Sequence, residues 1–388
     1  MTAAPSADTA AALAAVLPVL RAEAAAADEK AAFPTDSLTA LRSSGLLGLT
    51  VPAEYGGGGA DLAAFTAVAA ELSGACLSTG QIWAMHCFQV DAIARYGSPA
   101  LKAELLPRIA AGEVYIASVT TELGRSASLF EARAPLRQDG ERLLLERSAP
   151  VVTGGRHADG YLVTMRAHPD ATVNEVSLVY VDRADAEVEV GGDWDPLGMR
   201  ATESIGLVLS GRPPARNLVG APGGFAEIAR ESMIPISHLG WSACWLGAAR
   251  GALRELVAAL RESARTEYGD LFYERLARIR VDLEIVSAYL AQVVEHLARA
   301  RAEQRPLATP AVQLRLNALK LIASEHTFGA VDRMVQLAGL RLGYLRNSPI
   351  ALERHFRDLR AAALNHANDS LWTGVGALTL LDRSVELA

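Results

Sequence analysis

Cysteine is scarce in this chain. The three present, Cys76, Cys87 and Cys244, are far apart and odd in number. No CxxC pair or Cys/His cluster occurs, so no metal is expected. This usage suits a reducing, cytoplasmic compartment. Positive charge is also short. Lys and Arg number 37 against 44 Asp and Glu, a net charge of −7. No basic surplus is available to neutralise phosphates, which argues against a nucleic-acid partner. Long apolar runs are missing as well. The stretch from Ala10 to Leu20 is too short to cross a bilayer and Pro18 interrupts it, so no membrane partner is expected. No basic segment opens the chain, and Asp8 sits where a signal peptide would carry one. There is no internal repeat and no low-complexity linker.

What remains is a globular composition. Of 388 residues, 51% are hydrophobic and 21% charged, enough for a large core and too apolar for disorder. Residues 1 to 113 read as helical. Leu13, Val16, Leu17 and Leu20 recur at helical spacing on a surface helix. Asp36 or Ser37 is expected to cap a helix running to Ser43. A loop with four consecutive glycines, Gly56 to Gly59, cannot continue a helix cheaply. From 114 to 222 the pattern changes to short runs rich in β-branched and aliphatic residues. These are Tyr115 to Thr121, Leu143 to Glu146, Tyr161 to Met165, Val176 to Val181 and Ile205 to Leu209, with turn signals between them. After the break at Ala221-Pro222-Gly223-Gly224, residues 223 to 388 return to helical periodicity. Leu246 to Leu260, Leu271 to Ala300, Pro310 to Leu337 and Ile350 to Leu380 suit a four-helix bundle. The expected class is mainly α with a central β domain.

Several motifs in this order carry a resemblance. They are Leu47-Gly48-Leu49-Thr50-Val51-Pro52-Ala53-Glu54-Tyr55-Gly56-Gly57, then Tyr96-Gly97 with Leu106-Pro107 and Gly112-Glu113, then Thr120-Thr121-Glu122. Gly198-Met199-Arg200-Ala201-Thr202-Glu203-Ser204 follows, with Gln336-Leu337-Ala338-Gly339 and Arg357-Asp358 near the C-terminus. In register over nearly the whole chain, they resemble the acyl-CoA dehydrogenase superfamily. The resemblance implies that family's fold: an N-terminal helical domain, a small antiparallel β domain and a C-terminal four-helix bundle. It also implies a flavin, FAD or FMN, between the β domain and the bundle. Val119, Thr120 and Thr121 match the strand that meets the flavin ring, and Thr153 and Gly154 match a second flavin strand. Arg265 and Tyr268 resemble one arm that holds the rest of the cofactor across a subunit boundary. Gln336, Gly339 and Gly343 resemble another. A homodimer or homotetramer is implied. Plainer readings stand beside these: Thr121 and Thr153 as ordinary strand residues, Arg265 as a solvated helix-end charge, Gly339 as a helix C-cap.

The departures from the family pattern bear on the chemistry. The usual base is a glutamate eight residues past Asp358, where this chain has His366 after Asn365. The alternative base position falls at Ser237, beside His238, and Glu231 is six residues out of register. The aromatic before the second flavin strand appears as Pro150, and the segment after the Thr-Glu pair reads Ser126-Ala127-Ser128. Dehydrogenation of an acyl group needs a positioned base for its α-proton, and a carboxylate suits that. The superfamily's two-component branch, which includes dibenzothiophene monooxygenase, instead takes reduced flavin from a separate reductase and transfers oxygen. Such a site needs neutral hydrogen-bonding groups. His86, Thr153, His366 and Asn365 resemble that branch's residues, as does Asp193-Trp194. A satisfied core histidine is the plain alternative for His86, and a turn cap for His366. No comparable reading attaches to His238. The leading expectation is oxygenation of a small-molecule or carrier-bound substrate. A dehydrogenase of acyl-CoA or a carrier-bound acyl group, with a histidine or displaced base, is the second. A flavin-poor, non-redox protein on the same fold is the third.

Overall fold

The computed structural model describes every residue except 1–5, 123–127, 263–267, 384, 386 and 388. Five helices come first: α1 (Ala7–Lys30), α2 (Thr35–Ser43), α3 (Leu62–Ala75), α4 (Leu77–Tyr96) and α5 (Pro99–Ala110). Helix α1 runs straight through Pro18. Pro18 and Ala14, whose carbonyl loses its partner, both lie on the exposed side, where water replaces the missing bond. By length and composition alone α1 could cross a membrane, more than the short run Ala10 to Leu20 suggests. Its stripe of Leu13, Val16, Leu20, Ala24 and Ala27 is buried in the protein instead.

The start of α2 differs from expectation. Neither Asp36 nor Ser37 caps it; both lie inside the helix. The carboxylate of Glu23, on α1, accepts from Asp36 N–H at 3.1 Å and from Ser37 N–H at 2.7 Å. A negative charge at a helix N-terminus satisfies orphan donors and the dipole together.

The strands are β1 (Ile116–Val119), β2 (Arg137–Asp139), β3 (Arg142–Val152), β4 (Gly160–Arg166), β5 (Val176–Asp182), β6 (Ala186–Gly191), β7 (Ile205–Gly211) and β8 (Leu218–Val219). They form two four-stranded sheets, β1-β4-β5-β8 and β2-β3-β7-β6. Pairing is antiparallel except between β1 and β4, which run parallel. Alternate residues of β7 are buried, while β4 and β5 are buried along almost their whole length. That difference marks an outer and an inner sheet.

A short helix α6 (Phe225–Ile228) and one π-turn lead into α7 (Ile234–Glu262). Then come α8 (Asp270–Ala302) and α9 (Pro310–Gly339). The backbones of α3 and α7 touch at Gly247, where any Cβ would strike the carbonyl of Ala70. The expected final helix, Ile350 to Leu380, is two: α10 (Leu352–Arg360) and α11 (Asn368–Thr379). The chain breaks between them at His366, which takes a left-handed φ of 53°. Gly, Asn, Asp and His accept that conformation more readily than other residues.

One joint fixes the two halves together. Asp358 accepts from the Met199 N–H at 2.6 Å, and a Cβ at Gly198 would collide with the Arg357 carbonyl. Arg357 in turn forks onto Asp28 of α1, at 3.0 and 2.6 Å. Burial pushes the Asp358 carboxyl up to about 6, against the lowering effect of the Met199 N–H. Because the folded value is raised, the stability from this group is complete below the unfolded value near 3.8. It is lost as pH rises through about 6. Asp358→Asn keeps an acceptor for Met199. Urea unfolding at both ends of that window should show the variant's stability changing less with pH than the parent's, by about 2 to 3 kcal/mol.

Candidate active site

A cleft of about 870 Å³ opens where the ends of β1 and β3, helices α4 and α7, and the segment after α10 meet. Each wall has a local cause. On α7, Ile234, His238 and Trp241 fall at i, i+4 and i+7, so they share one face. On α4, Gln81 and Met85 are four apart and face the same space. Strand β1 ends at Val119. Beyond it the N–H groups of Thr120 and Thr121 form no hydrogen bond with another described residue. Thr121 donates its hydroxyl to the Val151 carbonyl at 3.0 Å, tying β1 to the end of β3. Three hydroxyls run in series along the wall: Thr153 to Ser204 at 2.9 Å, and Ser204 to Thr202 at 2.8 Å.

Among the described residues, two carboxylates line the cleft, Glu122 and Glu131. Glu122 is fully engaged. It accepts from the N–H groups of Arg133 and Ala134, both at 2.8 Å, and pairs with the buried Arg147 at 2.8 Å. A buried guanidinium requires that partner, so Glu122 is a brace. Glu131 sits on the exposed rim. The out-of-register Glu231 is occupied elsewhere, accepting from the backbone of Leu307 and Ala308.

Two imidazoles, those of His238 and His366, also line the cleft. His366 and His238 meet edge to face, 5.9 Å between ring centres. Neither ring nitrogen of His366 is bound to another described residue. The residue keeps a solvent-exposed side, but burial of its ring, with the nearby Lys320 ammonium, lowers its pKa from the usual imidazole value. The His366 backbone is held from behind: Lys320 donates to its carbonyl at 2.9 Å and to Asn368 Oδ1 at 2.6 Å. His238 is driven down to about 3, chiefly by burial and then by His366. Both rings are neutral at pH 7.

The profile of the acyl-CoA dehydrogenase N-terminal domain matches residues 9–113, and that of the C-terminal domain matches residues 239–369. Together they cover more than half of the chain.

The chain belongs to the acyl-CoA dehydrogenase superfamily.

Within this superfamily, the probable acyl-CoA dehydrogenase FadE25 of Mycobacterium tuberculosis is 27% identical over 366 residues, 92% of this chain and 90% of that protein. The amino sugar nitrososynthase DnmZ of Streptomyces peucetius is also 27% identical, over 90% of this chain and 87% of its own length. The crystal structure of the dibenzothiophene monooxygenase TdsC from Paenibacillus sp. A11-2 shares the fold. Its TM-score is 0.83 at 22% identity, covering 96% of this chain and 97% of that one.

Against this acyl-CoA dehydrogenase frame, the residues singled out from sequence separate into two groups. Thr120, Thr121, Thr153, Asn365 and His366 come together around the cleft. Val119 is buried just behind its wall. His86 does not reach it. Its Nδ1 accepts from the Ile116 N–H at 3.0 Å and its Nε2 donates to the Leu47 carbonyl at 3.1 Å, which leaves no nitrogen for a substrate. Burial pushes its pKa down to about 4. Its geometry is that of a core residue joining α4 to β1, so the reading of His86 as a site residue is withdrawn.

Gly154 packs against the rings of Phe33 and Tyr115, away from the cleft. Tyr268 stacks on Phe272 at 4.0 Å, and Gly343 lies against Leu352. Gln336 and Gly339 line a second hollow of about 600 Å³. Gly339 ends α9 at φ 68° and ψ −170°, a conformation open essentially to glycine alone. Within one chain these arms therefore lie outside the cleft. Arg265, Ser126 and Ala127 fall outside the described residues. The sequence reading missed His238, Trp241 and Gln81. The signal was present in the i, i+4, i+7 spacing of Ile234, His238 and Trp241.

Proposed function

We propose that this chain is a flavin-dependent monooxygenase, supplied with reduced FMN or FAD by a separate reductase and acting in the cytoplasm on a small organic or carrier-bound substrate. One observation carries the reading: among the described residues, no carboxylate in the cleft is free to take a proton at its centre. By motif register, we read the two family base positions as Ser237 and His366, both of which line the cleft.

The wall suits a flavin. The ring needs backbone donors, hydroxyls and a surround that excludes water. The unpaired N–H groups of Thr120 and Thr121 offer the first, Thr153 and Ser204 the second, and Met85, Trp194 and Trp241 the third. Bound there, reduced flavin would supply the electrons that activate dioxygen. The chain's own part is to orient and protect. Thr120 and Thr121 would hold such a group by their N–H groups. The hydroxyl series through Ser204 keeps the Thr153 oxygen turned to the cleft. His366, neutral and unpaired, donates one ring N–H and accepts at the other nitrogen, so it can pass a proton without a standing charge. The relation to the nitrososynthase supports this reading, as does the shared fold with the dibenzothiophene monooxygenase. The second hollow, with Gln336 and Gly339, is read as the arm offered to a partner copy in a homodimer or homotetramer.

The relation to FadE25 favours a second reading, dehydrogenation of an acyl thioester with an imidazole as base. Two experiments separate them. Mixed with oxygen, the chain loaded with reduced flavin should release hydrogen peroxide at least about tenfold more slowly than free reduced flavin. Loaded with oxidised flavin and given acyl-CoA thioesters without oxygen, it should keep its colour. Anaerobic bleaching overturns the proposal in favour of the second reading.

A further inference from the structure

Three buried polar atoms on the cleft wall have no partner among the described residues: His238 Nε2, Trp241 Nε1 and Gln81 Nε2. His238 and Gln81 are only 2% and 3% exposed, so bulk water does not serve them. Leaving such a group unmatched costs about 1 to 3 kcal/mol, and native proteins tolerate it mainly where a ligand or ordered water completes the set.

The hydrogen-bonding character of each atom is fixed. His238 Nδ1 lies 2.9 Å from the Ile234 carbonyl, which can only accept, so Nδ1 carries the hydrogen. In the neutral ring Nε2 is then a bare lone pair. Trp241 Nε1 can only donate. Gln81 Oε1 faces the Asn365 amide at 3.5 Å, which makes Nε2 the free donor end. The site thus offers one acceptor and two donors, all uncharged. The rings of His238 and Trp241 are 6.1 Å apart, and Gln81 lines the same cleft, its Oε1 3.5 Å from the amide of Asn365, the residue before His366.

A hydroxyl group is the complement of that set, with one hydrogen to give and two lone pairs to fill. An ether offers no hydrogen, a hydrocarbon offers nothing, and a carboxylate would meet the His238 lone pair with more negative charge. We propose that His238, Trp241 and Gln81 form a substrate subsite for a neutral hydroxyl, phenolic or alcoholic. The proposal rests on the cleft being the substrate pocket of the function proposed above, whichever reaction follows.

The test is equilibrium binding, with no turnover and no oxygen requirement. A failure of the oxygenation reading therefore leaves its outcome readable. Phenol, anisole and toluene are titrated by calorimetry into the full chain, with and without oxidised FMN. Phenol should bind at least about tenfold more tightly than either analogue, because a site built for a hydroxyl strongly rejects molecules lacking one. His238→Asn keeps a donor for the Ile234 carbonyl but leaves no acceptor at the position of Nε2. Trp241→Phe and Gln81→Leu each remove a donor at similar size. Each should shrink the preference for phenol severalfold while toluene affinity stays within about twofold. Equal affinities for the three ligands, which would mean a wall satisfied by water only, overturn the proposal. So does no measurable phenol binding, or a preference that survives all three substitutions.

Discussion

His366→Ala is expected to lower turnover by about 10² to 10⁴-fold while flavin affinity changes little, the range usual for losing a group that moves a proton. The expectation follows from three facts. The ring faces the cleft with both nitrogens free. Its pKa is held below the ordinary value, so it is neutral at pH 7. It occupies the place read above, by motif register, as the family's base position. Alanine alone is an incomplete control, because residue 366 sits at φ 53° and a simple side chain there costs about 1 kcal/mol. Asparagine accepts the left-handed conformation more readily. His366→Asn should therefore fold at least as well as His366→Ala and be just as inactive. Full turnover in either variant removes the role assigned to the imidazole.

Lys320→Met is expected to cut turnover by about ten- to a hundredfold without touching the cleft chemistry directly. Lys320 is completely buried. It bonds the His366 carbonyl and Asn368, and lies 5.6 Å from the centre of the Trp245 ring. Small displacements of a reacting group cost rates of that size. Global stability should move much less, because two effects oppose. Burial depresses the lysine to about 8 from 10.5, so its charge is a standing cost at neutral pH. Between those values the unfolded chain binds more protons, and this group's contribution to stability rises with pH. Methionine removes that cost along with the two hydrogen bonds. Urea midpoints and turnover measured side by side check the separation. An Lys320→Met enzyme of normal turnover would mean that the turn at His366 holds its own shape.

The order of helices, strands and helices was legible because local periodicity encodes it, and β4, β5 and β7 stand where runs of aliphatic residues mark them. What escaped the sequence reading depended on partners far along the chain. Ala361 to Ala363 reads as continuous helix, yet the chain turns at His366, its carbonyl bound by a lysine forty-six residues earlier. Asp36 and Ser37 look like caps, but a carboxylate from another helix has taken that task. His86 and His238 are equally apolar in setting. Only the positions of Leu47, Ile116 and Ile234 decide which one keeps a nitrogen free. Within the cleft, the threonines were readable from motif register. The shared face of His238 and Trp241 showed in their spacing, but its meeting with Gln81 did not, since that joins two helices about 160 residues apart in sequence.

Arg357 belongs to both hollows: one side of it lines the cleft and the other faces Gln336 and Gly339. Asp28 and Glu353 grip its guanidinium through four hydrogen bonds. A planar fork held at so many points does not rotate aside. Where the two hollows share this side chain, their common wall is therefore fixed rather than movable.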